Sequence, residues 1–360
     1  MNEGGGAETA VFDALSGEPL TAGRGAHARE FAAGTALVSG PALFDPQVNG
    51  FAGVDFHTAD LTVDAVEHAV AALWDAGCSH LLPTVTTGPV DRMEAQLAAL
   101  TAALRCARVR DAVPGFHVEG PFLSPVEGFR GAHDPACMLD PDPAVYERLQ
   151  RACGGRVVML TVAPELPGSV ELIRRAAGDG VTVCAGHSDV GGADLGEAVR
   201  AGLRLWTHLG NGCAAEVHRH DNVINRALAC PDLAASVVPD GIHLPPALLG
   251  RLTAALGPSR LVATTDAMAA AGSPPGIYSL GEKRLEVGPD RVVRDVGGTY
   301  FAGSSLTPLE GLYNLVRIGG LGMQAAWRAW TWLRDRMFPA IEAPRIAVPF
   351  ATGRVLRLQP

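Results

Sequence analysis

Eight short apolar runs recur along the chain, and each of them ends in a polar or glycine-rich turn. Continuous apolar runs of this length are typical of strands that are buried on both faces of a parallel sheet. The runs occupy residues 42–50, 79–87, 112–120, 156–165, 181–189, 203–211, 233–243 and 260–268.

Alanine-rich amphipathic segments lie between several of these runs. The clearest helices are predicted at 62–77, 91–109 and 169–180, and the last of them ends at a glycine, a common helix terminator. Strand–helix alternation repeated eight times predicts an α/β protein with a (β/α)8 TIM barrel, a fold of typically ~250 residues. Residues 42–268 nearly match that length.

The predicted barrel domain covers residues 42–275, and both chain ends lie outside it. Residues 1–41 are rich in glycine and alanine and are assigned to the N-terminal segment of a small β domain. Residues 276–303 alternate apolar and polar positions around Gly-Pro-Asp, as β-hairpins do, and are predicted to be a hairpin insertion or part of the small domain. Residues 304–360 are predicted to contain helices and a divergent C-terminal tail.

The composition argues against several classes of protein. Of the 360 residues, 48% are hydrophobic and 19% are charged, which suits a large core and disfavours disorder. We find no apolar stretch near the ~18 residues of a membrane span and no secretory signal. The formal net charge of −9 disfavours nucleic-acid and anionic-membrane partners. Seven scattered cysteines without a C-x-x-C pair favour a reducing, cytoplasmic location.

Polar and titratable residues collect where the predicted strands end. Active sites of (β/α)8 barrels are built at the C-terminal ends of the strands, so these side chains should converge. The strand-end residues are Gln47, Asn49, Glu119, Glu165, His187, His208, Asp240, His243 and Asp266.

One glutamate and two histidines among them form a candidate metal site. Glu119, His187 and His208 can bind a divalent cation and leave one coordination position for water. Nitrogen and oxygen ligands of this kind suit Zn²⁺ or Fe²⁺. Asp266 would then take the proton of the water and return it to a leaving group.

Each of these residues also has a structural explanation when it is taken alone. A histidine at a strand end is more often packed or solvated than a ligand, and a lone Glu119 fits a helix-cap partner or a surface carboxylate. Glu165 is interpreted as structural. His117 shares a strand face with Glu119, so it faces either the barrel interior or the packed core. A solvated or locally hydrogen-bonded role is assigned to the remaining histidines considered, His27, His57, His68 and His80.

Eight motifs in this order resemble those of the N-acetylglucosamine-6-phosphate deacetylase family of amidohydrolases. They are DPQVNGFAGVDF (45–56), HVEGPFLSP (117–125), GAHDP (131–135), AGHSD (185–189), THLGN (207–211), PDGIHLPP (239–246), TTDAMAAAG (264–272) and AGSSLTP (302–308). The resemblance implies hydrolysis of the acetamide of an amino-sugar phosphate. It also implies a barrel with a small β-sandwich built from the chain ends, reduced in this chain, and a homodimer.

The resemblance also implies roles for individual residues. Glu119, His187 and His208 match the ligands of one divalent metal ion per subunit, and Asp266 matches the catalytic base and acid. His133, in GAHDP, would polarise the acetamide carbonyl or hold the sugar. Many amidohydrolases carry His-x-His after the first strand and use two metals. Here that place is taken by Gln47-x-Asn49, as in mononuclear members, and we count both residues as substrate-binding.

Phosphate recognition in the family corresponds to four positions of this chain. These are Asn211 with the backbone of Gly212, Arg219 eight residues after Asn211, and His243 after the seventh strand. The resemblance further implies that the arginine reaches the site of a partner subunit.

This chain departs from the family pattern in two places. The family usually has an aromatic residue and then Asn-Ala-Met after THL, whereas this chain has Gly-Asn-Gly-Cys at 210–213, and His-Asp-Asn follows Arg219. The last 25 residues lack the usual closing strand pattern. These departures leave two alternatives to the family reaction, namely deacylation of a different N-acyl sugar and a catalytically dead sugar-phosphate-binding protein. The second is disfavoured because no metal ligand and no base is lost.

Overall fold

The described part of the chain is organised around one sheet of eight parallel strands. The computed structural model describes residues 11–16, 19–20, 37–296, 301–349 and 356–357. Most of the predicted N-terminal segment therefore lies outside the described residues.

Strands and helices alternate through the middle of the chain. The strands are β1 (Val11–Asp13), β2 (Pro19–Leu20), β3 (Leu37–Pro41), β4 (Leu43–Val48), β5 (Gly50–Phe51), β6 (Val54–Asp55), β7 (Cys78–Thr86), β8 (Phe116–Glu119), β9 (Val157–Val162), β10 (Thr182–Ala185), β11 (Leu203–Trp206), β12 (Ala234–Val237), β13 (Leu261–Ala263), β14 (Gly276–Leu280), β15 (Lys283–Val287), β16 (Val293–Asp295), β17 (Arg345–Pro349) and β18 (Leu356–Arg357). The helices are α1 (Val63–Asp75), α2 (Val90–Ala103), α3 (Ala107–Ala112), α4 (Pro143–Ala152), α5 (Ser169–Gly178), α6 (Gly192–Ala201), α7 (Val223–Ala229), α8 (Pro246–Arg260), α9 (Pro308–Arg317), α10 (Met323–Ala329) and α11 (Trp332–Met337).

The eight-stranded sheet closes into a barrel. Its strands follow the order of the chain, β4, β7, β8, β9, β10, β11, β12 and β13. The seam closes just beyond β13, where Val48 forms a parallel bridge with Ala267, and the N–H of Asn49 donates to the carbonyl of Ala267 at 2.7 Å. The predicted (β/α)8 barrel is therefore confirmed, and each of the eight apolar runs matches one of its strands, with only Cys78 of β7 lying outside its run.

Helix α1 shows how the outer layer is attached to the barrel. Its fully or nearly fully buried residues are Val66, Ala69, Val70 and Leu73, spaced at three and four residues as an amphipathic helix requires. Burial of a side chain such as Leu73 contributes roughly 1.5–3 kcal/mol. The helix begins after Thr62, whose hydroxyl accepts the N–H of Ala65.

The helix predicted at 91–109 is instead two helices. Helix α2 ends at Ala103 and α3 begins at Ala107, with Cys106 in an extended conformation between them. The break lets both Leu104 and Val109 enter the core, which one uninterrupted helix would place on different faces.

The two chain ends meet in a separate five-stranded sheet, in the order β18-β17-β3-β1-β2. Strand β17 pairs with β3 in antiparallel register, and the indole N–H of Trp327 donates to the carbonyl of Pro41 at 2.9 Å. The tail was expected to lack a closing strand, and β17 corrects that expectation. Its core run Ile346–Val348 is only three residues long between polar and proline-rich neighbours, so its strand signal is weak.

Strands β14, β15 and β16 form a third sheet, which has no hydrogen-bonded pairing with the terminal sheet in the described residues. Apolar side chains of this sheet, such as Leu285 and Val287, pack against Met268 and Ala270 beyond the last barrel strand. The sheet therefore covers one edge of the barrel mouth. The division into domains at 42, 276 and 304 stays a prediction.

Two further observations concern the whole described chain. All seven cysteines are free thiols. Among the residues that the structure describes, no helix has both the length and the apolar character needed to cross a membrane.

Candidate metal centre and active site

Three histidine side chains meet at one buried glutamate at the C-terminal end of the barrel. Glu119 is the last residue of β8, whereas His187 and His208 each lie two residues beyond the end of their strands. Oε1 of Glu119 is 2.9 Å from Nε2 of His208 and 3.5 Å from Nε2 of His187. His133 reaches the cluster from the loop after β8, with its Nε2 3.8 Å from Oε2 of Glu119.

The backbone turns sharply at three of these strand ends. His187, His208 and Asp266 have φ angles of 51°, 34° and 50°. Non-glycine residues adopt this left-handed region rarely, and such conformations are concentrated at functional sites. The turns aim the three side chains back over the barrel axis.

The hydrogen bonds of His187 fix its tautomer. Its Nδ1 lies 2.9 Å from the carbonyl oxygen of Phe129, which can only accept, so Nδ1 carries the hydrogen. The lone pair of Nε2 then points toward Oε1 of Glu119 and toward Nε2 of His133, which is 3.3 Å away. Acceptor atoms that face each other in this way are stabilised by a cation between them, and a carbonyl group bonded to the other ring nitrogen is typical of metal-binding histidines.

The ionisation of the cluster also fits a cation. Burial alone would raise the pKa of Glu119, but the hydrogen bond and the charge of His208 hold it well below its usual range. The Nδ1 atom of His208 is buried and has no hydrogen-bond partner among the described residues. Glu119, His133 and His187 offer ligand atoms that all lie within 4.8 Å of one another. This geometric set replaces His208 of the sequence-derived set with His133, and the two sets share Glu119 and His187.

Asp266 lies beside this cluster and is held by two amides. Its Oδ1 accepts from Nδ2 of Asn49 at 2.7 Å and from Nε2 of Gln47 at 3.2 Å. The same Gln47 nitrogen is 3.0 Å from Oε1 of Glu119, so it bridges the two carboxylates. Burial, with the charge of Glu119 acting in the same direction, raises the pKa of Asp266 to about 6. A carboxyl group in this range can exchange protons near neutral pH.

A second buried carboxylate supports the turn that carries Asp266. Asp45 accepts hydrogen bonds from the hydroxyls of Thr264 and Thr265, at 2.6 and 2.5 Å, and from the backbone N–H of Thr265 at 3.2 Å. Burial raises the pKa of Asp45 to about 6. This carboxylate therefore links the first barrel strand to the residues directly before Asp266.

Two glycines make room for the ring of His187. A Cβ on Gly131 would lie 2.8 Å from Cε1 of His187, and a Cβ on Gly212 would lie 2.7 Å from its Nδ1. Both glycines also have positive φ angles. Loops from two different strands thus enclose the ring, and a side chain at either position would displace it.

Comparison with known proteins adds the family to this geometry. No family model matches the chain. The Bacillus subtilis N-acetylglucosamine-6-phosphate deacetylase is 30% identical over 75% of this chain and 68% of its own length. The Escherichia coli O157:H7 N-acetylgalactosamine-6-phosphate deacetylase is 30% identical over 78% of this chain and 73% of its own length. The chain belongs to the N-acetylglucosamine-6-phosphate deacetylase family.

A solved member of the N-acetylglucosamine-6-phosphate deacetylase family shares the fold over most of the chain. It is a variant of the Mycobacterium smegmatis enzyme in complex with N-acetyl-D-glucosamine-6-phosphate. The two chains are 28% identical with a TM-score of 0.81, and the match covers 89% of this chain and 84% of the other.

The positions that correspond to phosphate recognition in the deacetylase family are only partly drawn together. Nδ2 of Asn211 is buried and lacks a partner among the described residues. His243 is held by Asp240, whose Oδ2 lies 2.6 Å from Nδ1 of the ring, and the ring packs against Phe301 with centroids 5.2 Å apart. His243 is also near enough for its charge to lower the pKa of Asp266, although burial of Asp266 is the larger effect.

Arg219 is placed differently from the other site residues. It is exposed on the loop after β11 and has no hydrogen bond or ion pair with any described residue. Arg226, seven residues later, is instead held by two ion pairs. Its Nε lies 2.6 Å from Oδ1 of Asp221, and its Nη1 lies 3.1 Å from Oδ1 of Asp189. Arg219 therefore does not line the cluster of Glu119, His187 and His208 in this chain.

Seven of the residues singled out from the sequence come together around one point, namely Gln47, Asn49, Glu119, His133, His187, His208 and Asp266. Sequence reasoning missed Asp45 as a support for Asp266, and it missed Lys283, which contacts the loop of His133. Each carried a signal, because Asp45 is a charge inside an apolar run and Lys283 is the single lysine of the chain.

Proposed function

We propose that this chain hydrolyses N-acetylglucosamine-6-phosphate to glucosamine-6-phosphate and acetate in a metal-dependent reaction. The observation that carries the proposal is the convergence of Glu119, His187 and His208 beside the buried Asp266. Acidic and imidazole ligands next to a carboxyl group with a pKa of about 6 suit metal-assisted hydrolysis of an amide.

Glu119, His187 and His208 would hold one divalent ion, and we propose Zn²⁺ or Fe²⁺ from the donor atoms. When bound, such an ion lowers the pKa of water and polarises a carbonyl group. Two features of this chain suit a divalent ion at this point, namely the lone pair on Nε2 of His187 and the ionised carboxylate of Glu119. His133 is close enough to Glu119 and His187 to act as a further ligand. If His208 is the third ligand instead, His133 is free to contact the substrate.

Asp266 moves the proton in the proposed reaction. It takes the proton of the attacking water as the new carbon–oxygen bond forms at the acetamide carbonyl. It then delivers that proton to the sugar nitrogen as the carbon–nitrogen bond breaks, so that the amine leaves neutral. Gln47 and Asn49 hold the carboxylate in place through their amide N–H groups.

His133 would donate a hydrogen bond to the acetamide oxygen as negative charge develops there. Burial, followed by the neighbouring His187, lowers the pKa of His133 to about 3, so its ring is neutral at pH 7. A neutral imidazole retains one N–H group for this contact.

The sugar phosphate would be bound by Asn211, the backbone N–H of Gly212, His243 and Arg219. Because Arg219 points into solvent in one subunit, we propose that it completes the site of a second subunit in a homodimer. We also propose a cytoplasmic location, which suits the seven free thiols.

The deciding experiment measures acetate release by the purified, metal-loaded protein. N-acetylglucosamine-6-phosphate and unphosphorylated N-acetylglucosamine are assayed side by side. We expect a strong preference for the phosphorylated sugar. Equal rates with both sugars would contradict recognition of the phosphate. No acetate from either sugar would contradict N-acetylglucosamine-6-phosphate as the substrate.

A second candidate is deacylation of a different N-acyl sugar by the same chemistry. It is favoured by the altered loop at 210–213 and by relatives that are N-acetylgalactosamine-6-phosphate deacetylases at 30% and 32% identity. The same acetate assay with N-acetylgalactosamine-6-phosphate separates the two candidates, because the family chemistry is shared and only the sugar differs.

A further inference from the structure

Lys283 is the only lysine of the sequence, and it lies beside the active-site loop. It is the first residue of β15, and its side chain is half-buried. Its Nζ donates a hydrogen bond to the backbone carbonyl of Ala132, the residue directly before His133. The other basic residues counted with it are arginines, so Lys283 carries the one side-chain amine of the sequence.

The hairpin that presents Lys283 is itself held in place. Its turn residue Gly281 donates its N–H to Oδ2 of Asp55 at 2.7 Å. The other oxygen of Asp55 accepts the N–H of His57 at 2.9 Å. The backbone of Lys283 pairs with Leu280 across the hairpin. The lysine therefore extends from a hairpin that is tied to the end of β6.

Packing links the same sheet to both catalytic loops. Ala132 and Leu280 pack against a buried cluster that contains Met268, two residues after Asp266. The contact of Lys283 with Ala132 thus joins the loop of His133 to a sheet that already covers the loop of Asp266.

The loop of His133 depends on few other hydrogen bonds. The N–H of His133 donates to the carbonyl of Arg130 at 3.2 Å, and Asp134 accepts the N–H of Ala136 at 2.9 Å. Among the described residues, Lys283 provides the one hydrogen bond to the carbonyl of Ala132. Apart from it, the nearest hydrogen bond in the described residues that ties this loop to another segment is the one between the carbonyl of Phe129 and Nδ1 of His187, three residues before Ala132.

We propose that Lys283 is a positioning residue for His133. By holding the carbonyl of Ala132, it keeps the imidazole 3.3 Å from Nε2 of His187 and within reach of Glu119. The catalytic consequence rests on the proposed function, in which His133 contacts the acetamide oxygen. A misplacement of about 1 Å at such a group can reduce turnover about 100-fold.

The test compares Lys283→Met, which keeps the chain length and removes the donor, with Lys283→Arg, which keeps a donor. Arg284→Met is the matched control, because Arg284 is the next residue and is exposed on the other face of the strand. For the metal-loaded protein with the sugar phosphate that it hydrolyses, we expect Lys283→Met to lower kcat about 10- to 100-fold. KM should change less than about 3-fold, and Lys283→Arg should recover most of kcat, because a guanidinium can donate to the same carbonyl.

A catalytic readout alone would not separate this proposal from the proposed function. Amide hydrogen exchange of the metal-loaded protein is therefore measured across the segment 130–134, without substrate. We expect faster exchange there in Lys283→Met but not in Arg284→Met. If exchange is faster in Lys283→Met but the parent protein releases no acetate, the positioning role of Lys283 stands and the proposed function is rejected. Unchanged exchange and unchanged kcat in Lys283→Met would reject the positioning role of Lys283. An equal loss of kcat in the Arg284→Met control would reject it as well.

Discussion

Asp266 combines a strained backbone with a buried carboxyl group that is held at several points. Its φ of 50° turns it toward the barrel axis, and Asn49 and Gln47 hold its Oδ1. The two residues directly before Asp266 are held by Asp45, which accepts hydrogen bonds from the hydroxyls of Thr264 and Thr265. At the scale of single residues, the carboxyl group of Asp266 is thus placed by a second carboxyl group that is itself fully buried.

Replacing Asp266 with asparagine should leave metal and substrate binding intact but remove proton transfer. We expect kcat to fall roughly 10²- to 10⁴-fold while KM changes little. Steady-state acetate release and the metal content of the purified variant are the measurements. Turnover near that of the parent protein, with metal bound, would remove Asp266 from the mechanism.

The pKa of Asp45 predicts a pH-dependent contribution to stability. Burial raises the pKa of Asp45 from 3.8 to about 6, so the folded state binds a proton between these values that the unfolded state does not. The cost of the buried charge is fully present above pH 6 and disappears as the pH falls toward 4. The free energy of unfolding of the parent protein, relative to Asp45→Asn, should therefore rise by on the order of 2 kcal/mol from pH 7.5 to pH 4.5.

Urea unfolding of both metal-free proteins at the two pH values tests this expectation. Comparing the parent with Asp45→Asn cancels the titration of all other groups. A difference that stays constant with pH would mean that Asp45 is ionised throughout.

At the scale of elements, the loop after β11 is divided between a fixed part and a free part. Arg226 of α7 ties the loop to Asp189 and Asp221, whereas Arg219 extends into solvent. Gly212 in the same loop allows the close approach to the ring of His187. The loop therefore has one end packed against the ring of His187 and another exposed to solvent.

Arg219→Ala should raise KM for the phosphorylated sugar about 10- to 100-fold, because a charged hydrogen bond is worth about 1.5–3 kcal/mol. The reaction with the unphosphorylated sugar should be nearly unchanged. Arg156→Ala is the matched control, since Arg156 is an exposed arginine just before β9, at the opposite end of the barrel. Equal effects on both sugars would assign Arg219 a structural role.

Elements with a clear local pattern, namely continuous apolar runs, amphipathic helical segments or alternation around a turn, could be predicted from the sequence, whereas elements decided by tertiary contacts could not. All eight barrel strands were predicted because burial on both faces leaves an unbroken apolar signal. Strand β17 was missed because its short run Ile346–Val348 becomes a strand only when β3 lies beside it. The break between α2 and α3 was missed because helix propensity continues through it and tertiary packing decides it.

The candidate site shows the same division. Glu119, His187, His208 and Asp266 were predicted to converge because barrel topology alone brings strand ends together. Asp45 and Lys283 stand out in the sequence as unusual residues, but their partners lie in segments far away along the chain, which no local pattern identifies. The spacing of Arg219 identified the residue but could not predict that its side chain would face solvent.

At the scale of the whole molecule, the metal cluster connects strands from opposite sides of the barrel. Glu119, His187 and His208 come from β8 and from the ends of β10 and β11, and Asp266 follows β13. The seam of the barrel closes between Val48 and Ala267, the residue after Asp266. A ligand bound at this point therefore contacts several of the structural units that must assemble during folding.

Removing the metal should accordingly lower Tm by several degrees. An ion that binds only the folded state contributes about 4 kcal/mol when its concentration is 1,000 times its Kd. Thermal unfolding is followed with and without a chelator, and Glu119→Gln is the control, because the loss of the carboxylate should make Tm insensitive to the chelator. Identical melting of the parent protein in both conditions would contradict a metal at this cluster.

The single lysine beside the active-site loop has a practical consequence for handling the protein. Reagents that couple primary amines, including those that attach proteins to sensor surfaces, find one side-chain target in this sequence, and that target is Lys283. Attachment there would tether the molecule by the hairpin that touches the loop of His133. Immobilisation through a thiol, a tag or the α-amino group leaves that hairpin untouched, whereas coupling at Lys283 would consume the amine that contacts the loop of His133.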